Sequence, residues 1–224
     1  MLRFINHFKL TMNNSLSEIY NTLFSHYGDL RWWPAKTPYE VMVGAILTQN
    51  TAWTNVEKAI GQFEGDLTPG RIQHLPLEKL QDLIRPAGFY KQKSQYLKAL
   101  TEWFLAYDCD VKRIQNLNLS DVRKELLGVH GVGQETADSI LLYAFHFPTF
   151  VVDAYTMRLF KRYPLDAGTT YAQVKKFIES KIPADVLMYN RFHALIVENG
   201  KEHCKKKALC EGCPLESSCK KRFD

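Results

Sequence analysis

The stretch Leu126 to Phe145, LLGVHGVGQETADSILLYAF, decides how this chain is read. One helical pattern ends near Gly128, the turn His130-Gly131-Val132-Gly133 follows, and a second helical pattern opens at Gln134. Glycines at alternate positions let the backbone turn sharply and leave N–H groups unblocked at the start of the second helix. A phosphate can be held there without any reading of base sequence. Taken alone, the same residues also suit a plain interhelical turn that uses glycine for positive φ.

Working outward, helix signals recur along the chain and alternating Val/Ile/Thr runs are scarce, so the expected class is all-α. Thr37-Pro38-Tyr39-Glu40 reads as a capping box with proline at the first helical position, opening a segment that runs through Val41, Ala45 and Ile46 toward Ala59. Further helices are predicted over 76–83, 91–106, 120–127, 134–145, 154–162, 171–181 and 184–199, separated by Pro, Gly and Asp turns. With 224 residues, 46% hydrophobic and 24% charged, the chain is too apolar for disorder and long enough for one large domain or two small ones. The longest apolar run, from Leu141 to Val152, is broken by His146 and Pro148 and falls short of the ~20 residues that span a bilayer. The first residues show no secretory pattern, so a cytoplasmic protein without membrane attachment is expected, and the start is left open because Met12 could replace Met1.

Two other places carry chemistry. In Val151-Val152-Asp153-Ala154-Tyr155 a carboxylate follows an apolar run and opens a helix. It is either an N-cap or a fixed negative charge able to stabilise a cationic sugar or orient a water. Four of the five cysteines, Cys204, Cys210, Cys213 and Cys219, follow a Cys-x5-Cys-x2-Cys-x5-Cys pattern, which suits either zinc or an iron–sulfur cluster. Cys109 stands apart and is expected to be a buried apolar thiol. The formal charge is only +5, yet residues 201–224 hold seven basic side chains against four acidic ones, making a basic C-terminal patch compatible with nucleic acid.

The hairpin LxGVHGVGxxTA, then VDAY, then the four-cysteine loop occur in one order, and from about Thr37 to Cys219 the chain resembles the endonuclease III branch of the helix–hairpin–helix DNA glycosylases. The resemblance implies a six-helix barrel domain over 36–147 and a second helical domain built from 1–35 and 148–224, with duplex DNA containing a damaged base bound across the groove between them. It implies a [4Fe–4S] cluster on the four cysteines rather than zinc, although the family usually places six residues between its first two cysteines and this chain has five. Asp153 matches the aspartate with which these enzymes break the N-glycosidic bond. His130, Gly131 and Gly133 match the phosphate-binding hairpin. Gln49 and Asn50 match the place where an amide fills the gap left by a flipped nucleotide, Asn50 aligning best. Lys201 and Lys205 to Lys207 would approach phosphates.

Bifunctional members carry a lysine nucleophile two residues past the second hairpin glycine, where this chain has Glu135. Without that amine no Schiff base forms there, so a monofunctional enzyme is expected. Trp32-Trp33-Pro34, with the GAxLTQNT segment and Trp53, resembles the 3-methyladenine DNA glycosylases of this type, in which these aromatics wall the base pocket and Glu135 lies within it. Aromatic faces suit a cationic alkylated purine. The expected enzyme is a nucleoid-associated monomer that hydrolyses alkylpurines. A mismatch glycosylase and a noncatalytic DNA-binding module are the alternatives; an adenine-specific enzyme is disfavoured because the chain ends soon after Cys219.

Overall fold

The computed structural model describes residues 14–30 and 32–221, so the choice between Met1 and Met12 lies outside the described residues. All regular structure among them is helical. In chain order the helices are α1 (Asn14–Tyr27), α2 (Pro38–Leu47), α3 (Trp53–Gly61), α4 (Pro69–His74), α5 (Leu77–Ile84), α6 (Tyr90–Leu105), α7 (Val111–Gln115), α8 (Leu119–Gly128), α9 (Gln134–Ser139), α10 (Ala154–Arg162), α11 (Tyr171–Glu179) and α12 (Val186–Glu202). No helix among the described residues is long and apolar enough to cross a membrane.

The contacts divide the described residues into two units, one spanning Trp33–Phe147 and the other joining those up to Trp32 to those from Pro148 onward. In the first unit, α2 is apolar nearly all round, and Tyr39 and every residue from Val41 to Leu47 are buried, as expected of a central helix. It packs against α6 and against the residues that follow α9. The Tyr39 ring stacks on Phe104 at 5.9 Å, and its hydroxyl meets the Thr101 hydroxyl at 2.5 Å. Lys93 of α6 is buried, and its ammonium donates to the carbonyls of Leu47 (2.8 Å) and Ala87 (2.9 Å). The first bond satisfies an orphan carbonyl at the end of α2, and the second a carbonyl in the turn before α6. Burial pushes the Lys93 pKa down to about 8.

Several local expectations are corrected. The segment predicted to run from Pro38 toward Ala59 is two helices, because the chain breaks after Leu47 and Asn50 takes a left-handed φ of 54°. Asparagine tolerates that conformation better than most residues. The capping box at Thr37 is half formed: Thr37 Oγ1 accepts from the Glu40 amide at 3.1 Å, but Glu40 reaches back to the amide of Lys36, not to that of Thr37. The helix predicted over 134–145 is α only to Ser139 and widens into a π turn over Ile140–Ala144, closed by the Phe145 amide on the Ile140 carbonyl at 3.2 Å. Helices α1, α4 and α7 have no counterpart among the predicted helices, although Thr68-Pro69 carries the same cap-then-proline signal as Thr37-Pro38. Cys109 is half-buried at φ 56° in the turn after α6 rather than a core thiol.

The hairpin between α8 and α9 is braced from three directions. Gly131 has φ +86°, and a Cβ there would lie 2.1 Å from the Tyr96 ring. Gln49 Nε2 donates to the Gly131 carbonyl and to Thr136 Oγ1, both at 3.0 Å. Arg123 of α8 grips Asp138 of α9 through two bonds of 2.8 and 3.0 Å. Gly133, by contrast, has φ −88°, and a Cβ added there would meet nothing within 4 Å, so only one of the two glycines is demanded by the fold. Gly131→Ala is therefore expected to destabilise the protein by at least about 2 kcal/mol, from the left-handed backbone and the clash together. Gly133→Ala is expected to cost less than about 1 kcal/mol. Urea unfolding of the two variants checks the contrast.

Candidate functional site

In the Trp33–Phe147 unit the aromatic residues form a cluster. Trp33 stacks on Tyr143 with ring centroids 4.8 Å apart and 26° between planes, and meets Trp53 edge-on at 5.4 Å. The π turn after Ser139 is what carries Tyr143. Gly44 forms the floor, since a Cβ there would stand 3.3 Å from the Trp53 ring and 3.5 Å from Trp33 Nε1. Trp33 sits at φ 65°, and its buried indole N–H has no acceptor among the described residues. Pro34 is exposed beside it. Trp53 Nε1 donates to Glu57 at 3.1 Å. Trp32, expected to share this wall, packs in the other unit.

On the hairpin, His130 is exposed and edge-on to Tyr96 at 4.9 Å, and Glu135 is exposed in the first turn of α9. Asn50 is exposed on its left-handed turn. Gln49 is not directed outward with it, because its amide group is engaged by the hairpin.

In the other unit Asp153 is the N-cap of α10, its Oδ1 accepting the Thr156 amide at 2.7 Å. The cap and the chemical reading are thus compatible in one side chain. Its Oδ2 lies 3.6 Å from Nε2 of buried His193 on α12. Burial alone would raise the Asp153 pKa, but the contact with His193 and the Thr156 amide outweigh it and hold the carboxyl below its ordinary value. Trp32 is edge-on to His193 at 6.3 Å, and the Lys201 ammonium stands 4.9 Å above the Trp32 ring while pairing with Glu198 at 3.1 Å. Tyr155 packs on Gly200, where a Cβ would come within 2.3 Å of its ring.

Cys204, Cys210, Cys213 and Cys219 all line one open pocket together with Arg162, Asn199 and His203. Arg162 Nη1 is 3.4 Å from Cys204 Sγ, and its guanidinium also donates to the carbonyls of Lys205 (2.7 Å) and Lys206 (2.9 Å). Arg158 Nε donates to the Cys204 carbonyl at 2.5 Å. Burial, and then repulsion from the other three thiolates, pushes the Cys213 thiol up. Four thiols lining one pocket offer soft donors of the kind a metal centre takes. Among the described residues no group of three or more His, Cys, Asp or Glu side chains is gathered as the ligands of a metal ion. Lys205, Lys206 and Lys207 are exposed on the loop.

Sequence reading misses His193, Arg158, Arg162 and Tyr143. The arginines lie four apart on one face of α10, a spacing that carries a signal. Nothing in the local sequence marks His193 or Tyr143, whose partners are distant along the chain.

Two helices joined through a glycine hairpin lie within the region of this chain that matches a class of DNA repair proteins. The chain belongs to the HhH-GPD superfamily of base excision DNA repair proteins, whose profile matches residues 43–184, and it is an endonuclease III-like DNA glycosylase. It is 45% identical over 207 residues to a Methanocaldococcus jannaschii protein provisionally named a DNA repair glycosylase, covering 90% of this chain and 94% of that one. Among solved structures, a non-covalent endonuclease III–DNA complex superposes with a TM-score of 0.77 at 24% identity, covering 93% of this chain and 95% of the other, a likeness of fold. The H. pylori 3-methyladenine DNA glycosylase bound to 1,N6-ethenoadenine gives 0.73 at 27% identity, covering 84% and 97%.

Because the folded Asp153 carboxyl ionises below its unfolded value of about 3.9, it stabilises the fold above that pH, and the contribution is lost as pH falls through the lower native value. Asp153→Asn keeps a capping oxygen but removes the charge. The urea midpoints of wild type and variant are expected to differ by a constant amount from about pH 8 to pH 5 and to converge below about pH 4.

Proposed function

We propose that this glycosylase is monofunctional and hydrolyses the N-glycosidic bond of alkylated purines such as 3-methyladenine in duplex DNA. The observation that carries the reading is Glu135, exposed in the first turn of α9 at the position where the bifunctional pattern has its lysine. A carboxylate cannot form a Schiff base, so the abasic strand is left intact. The cluster of Trp33, Trp53 and Tyr143 supports an aromatic stack for the flipped base, and a cationic alkylpurine gains on the order of 1–2 kcal/mol against such faces when desolvated. Likeness to the H. pylori 3-methyladenine enzyme supports the same substrate class.

In this reading the C1′–N bond breaks with its electron pair leaving on the base, which departs neutral when it began as an alkylated cation. The ionised Asp153, its Oδ1 held by the Thr156 amide, stabilises the sugar cation. Water then adds to C1′ and its proton passes through the carboxylate to solvent. Amides of the hairpin around Gly131 and Gly133 hold a phosphate, Asn50 fills the gap left in the duplex, and Lys201 with Lys205 to Lys207 adds sequence-independent attraction. Cys204, Cys210, Cys213 and Cys219 would hold a [4Fe–4S] cluster. The donor set fits: four thiols line one pocket beside the Arg162 cation, which offsets the net negative charge of a four-thiolate cluster. When bound, the cluster supplies a structural cross-link and compensates the thiolate charge.

One observation favours a second reading, a monofunctional mismatch glycosylase acting on thymine. The buried Trp33 N–H, which has no acceptor among the described residues, is a donor that a carbonyl oxygen of thymine would satisfy.

The deciding experiment incubates the protein with methylated duplex DNA and with a G·T-mismatched duplex, identifies released bases by chromatography, and runs strands on a gel before and after hot alkali. Release of 3-methyladenine, strand breaks only after alkali, no borohydride-trapped complex and an inactive Asp153→Asn variant are the expected results. Release of thymine alone selects the second reading, and trapped covalent complex refutes both. Metal analysis of the purified protein is expected to find iron and inorganic sulfide in equal amounts, with zinc absent.

A further inference from the structure

The carboxylate of Asp153 is approached from two sides, and only one of them is explained by helix capping. Oδ1 is taken by the Thr156 amide at 2.7 Å, which leaves the terminal torsion of the aspartate soft. Oδ2 faces His193 Nε2 at 3.6 Å. His193 cannot follow a drifting carboxylate, because its ring is buried and met edge-on by Trp32 and by Phe150, each at 6.3 Å. We propose that His193 is a positioning residue of the glycosylase: its imidazole stands beside the second oxygen of Asp153, just beyond hydrogen-bond length, and closes on it as a donor while the sugar becomes cationic, so that the carboxylate keeps one plane. This rests on Asp153 being the carboxylate that acts on the sugar.

Among the described residues, charges on the neighbouring helices have partners of their own. On α12, Arg191 pairs with Asp29 at 2.6 Å and Lys201 with Glu198 at 3.1 Å. On α10, Arg158 lies over the Tyr155 ring and donates to the Cys204 carbonyl. From α1, Tyr20 packs edge-on to Phe192 rather than to His193. Burial of Asp153 works to raise its pKa, and the contact with His193 is the largest influence pulling it down.

Single-turnover base release from the duplex the wild type cleaves, followed from pH 4 to pH 8, tests the assignment alongside binding to a duplex with an abasic-site analogue. His193→Phe keeps a ring of similar size without the donor. It is expected to lose rate on the order of 10- to 100-fold with duplex affinity unchanged, and its acid limb should move upward toward neutrality. His193→Gln, whose amide can donate, should recover most of the rate. A His193→Phe enzyme with wild-type rate and acid limb, alongside an inactive Asp153→Asn, overturns the proposal. An active Asp153→Asn instead refutes the role of Asp153, and the proposal with it. If His193→Phe does not fold, His193→Ala takes its place with free imidazole added: a rise in rate with imidazole supports the assignment, and no rise overturns it.

Discussion

The bidentate ion pair between Arg123 and the fully buried Asp138 is the interaction on which the Trp33–Phe147 unit depends. It ties the helix before the hairpin to the helix after it, so the turn between them cannot open without stranding a charge in the core. Removing one partner of such a pair typically costs about 3–5 kcal/mol, far more than the pair contributes over an apolar substitute. Its value lies in setting geometry. With α8 and α9 clamped, Gly131 can sit beneath Tyr96 and its carbonyl can receive Gln49. The π turn that follows then delivers Tyr143 to Trp33.

The other unit is organised along α10. Its first turn is capped by Asp153, and its fifth and ninth residues, Arg158 and Arg162, hold the backbone of the cysteine loop. Nine residues span about 13 Å, so one short helix carries the Asp153 carboxylate at its start and reaches the thiol pocket at its end. Whatever rigidifies the loop also rigidifies the helix that presents Asp153. Across α12, His193 faces the carboxylate, and two turns further along Gly200 gives room to Tyr155.

Much of this is legible in the residues themselves. Thr37-Pro38 and Asp153 mark helix starts because a side-chain oxygen satisfies orphan amides locally, and the cap bonds are present at both. The glycine hairpin is legible because positive φ selects glycine, although only Gly131 uses it. The cysteines are legible by spacing. Other expectations fail for local reasons. The π turn departs from a sequence that reads as plain helix, since Ile140 to Ala144 are good apolar helix residues wherever the widening occurs. Gln49 and Asn50, adjacent and chemically alike, read as a pair, yet one amide is spent on the hairpin and the other is exposed.

By itself, then, the sequence determined the helical class, the caps, the hairpin, the thiol set and the replacement of a lysine by Glu135, because each depends on residues within a few positions of one another. Only the tertiary structure decided that Trp33 keeps company with Trp53 and Tyr143 while Trp32 lies against His193, that Arg123 reaches Asp138, and that a histidine forty residues away stands beside Asp153. The physical reason is common to all three. Packing brings together groups whose spacing along the chain follows no period, so the residue types announce a capacity for contact but not the partner.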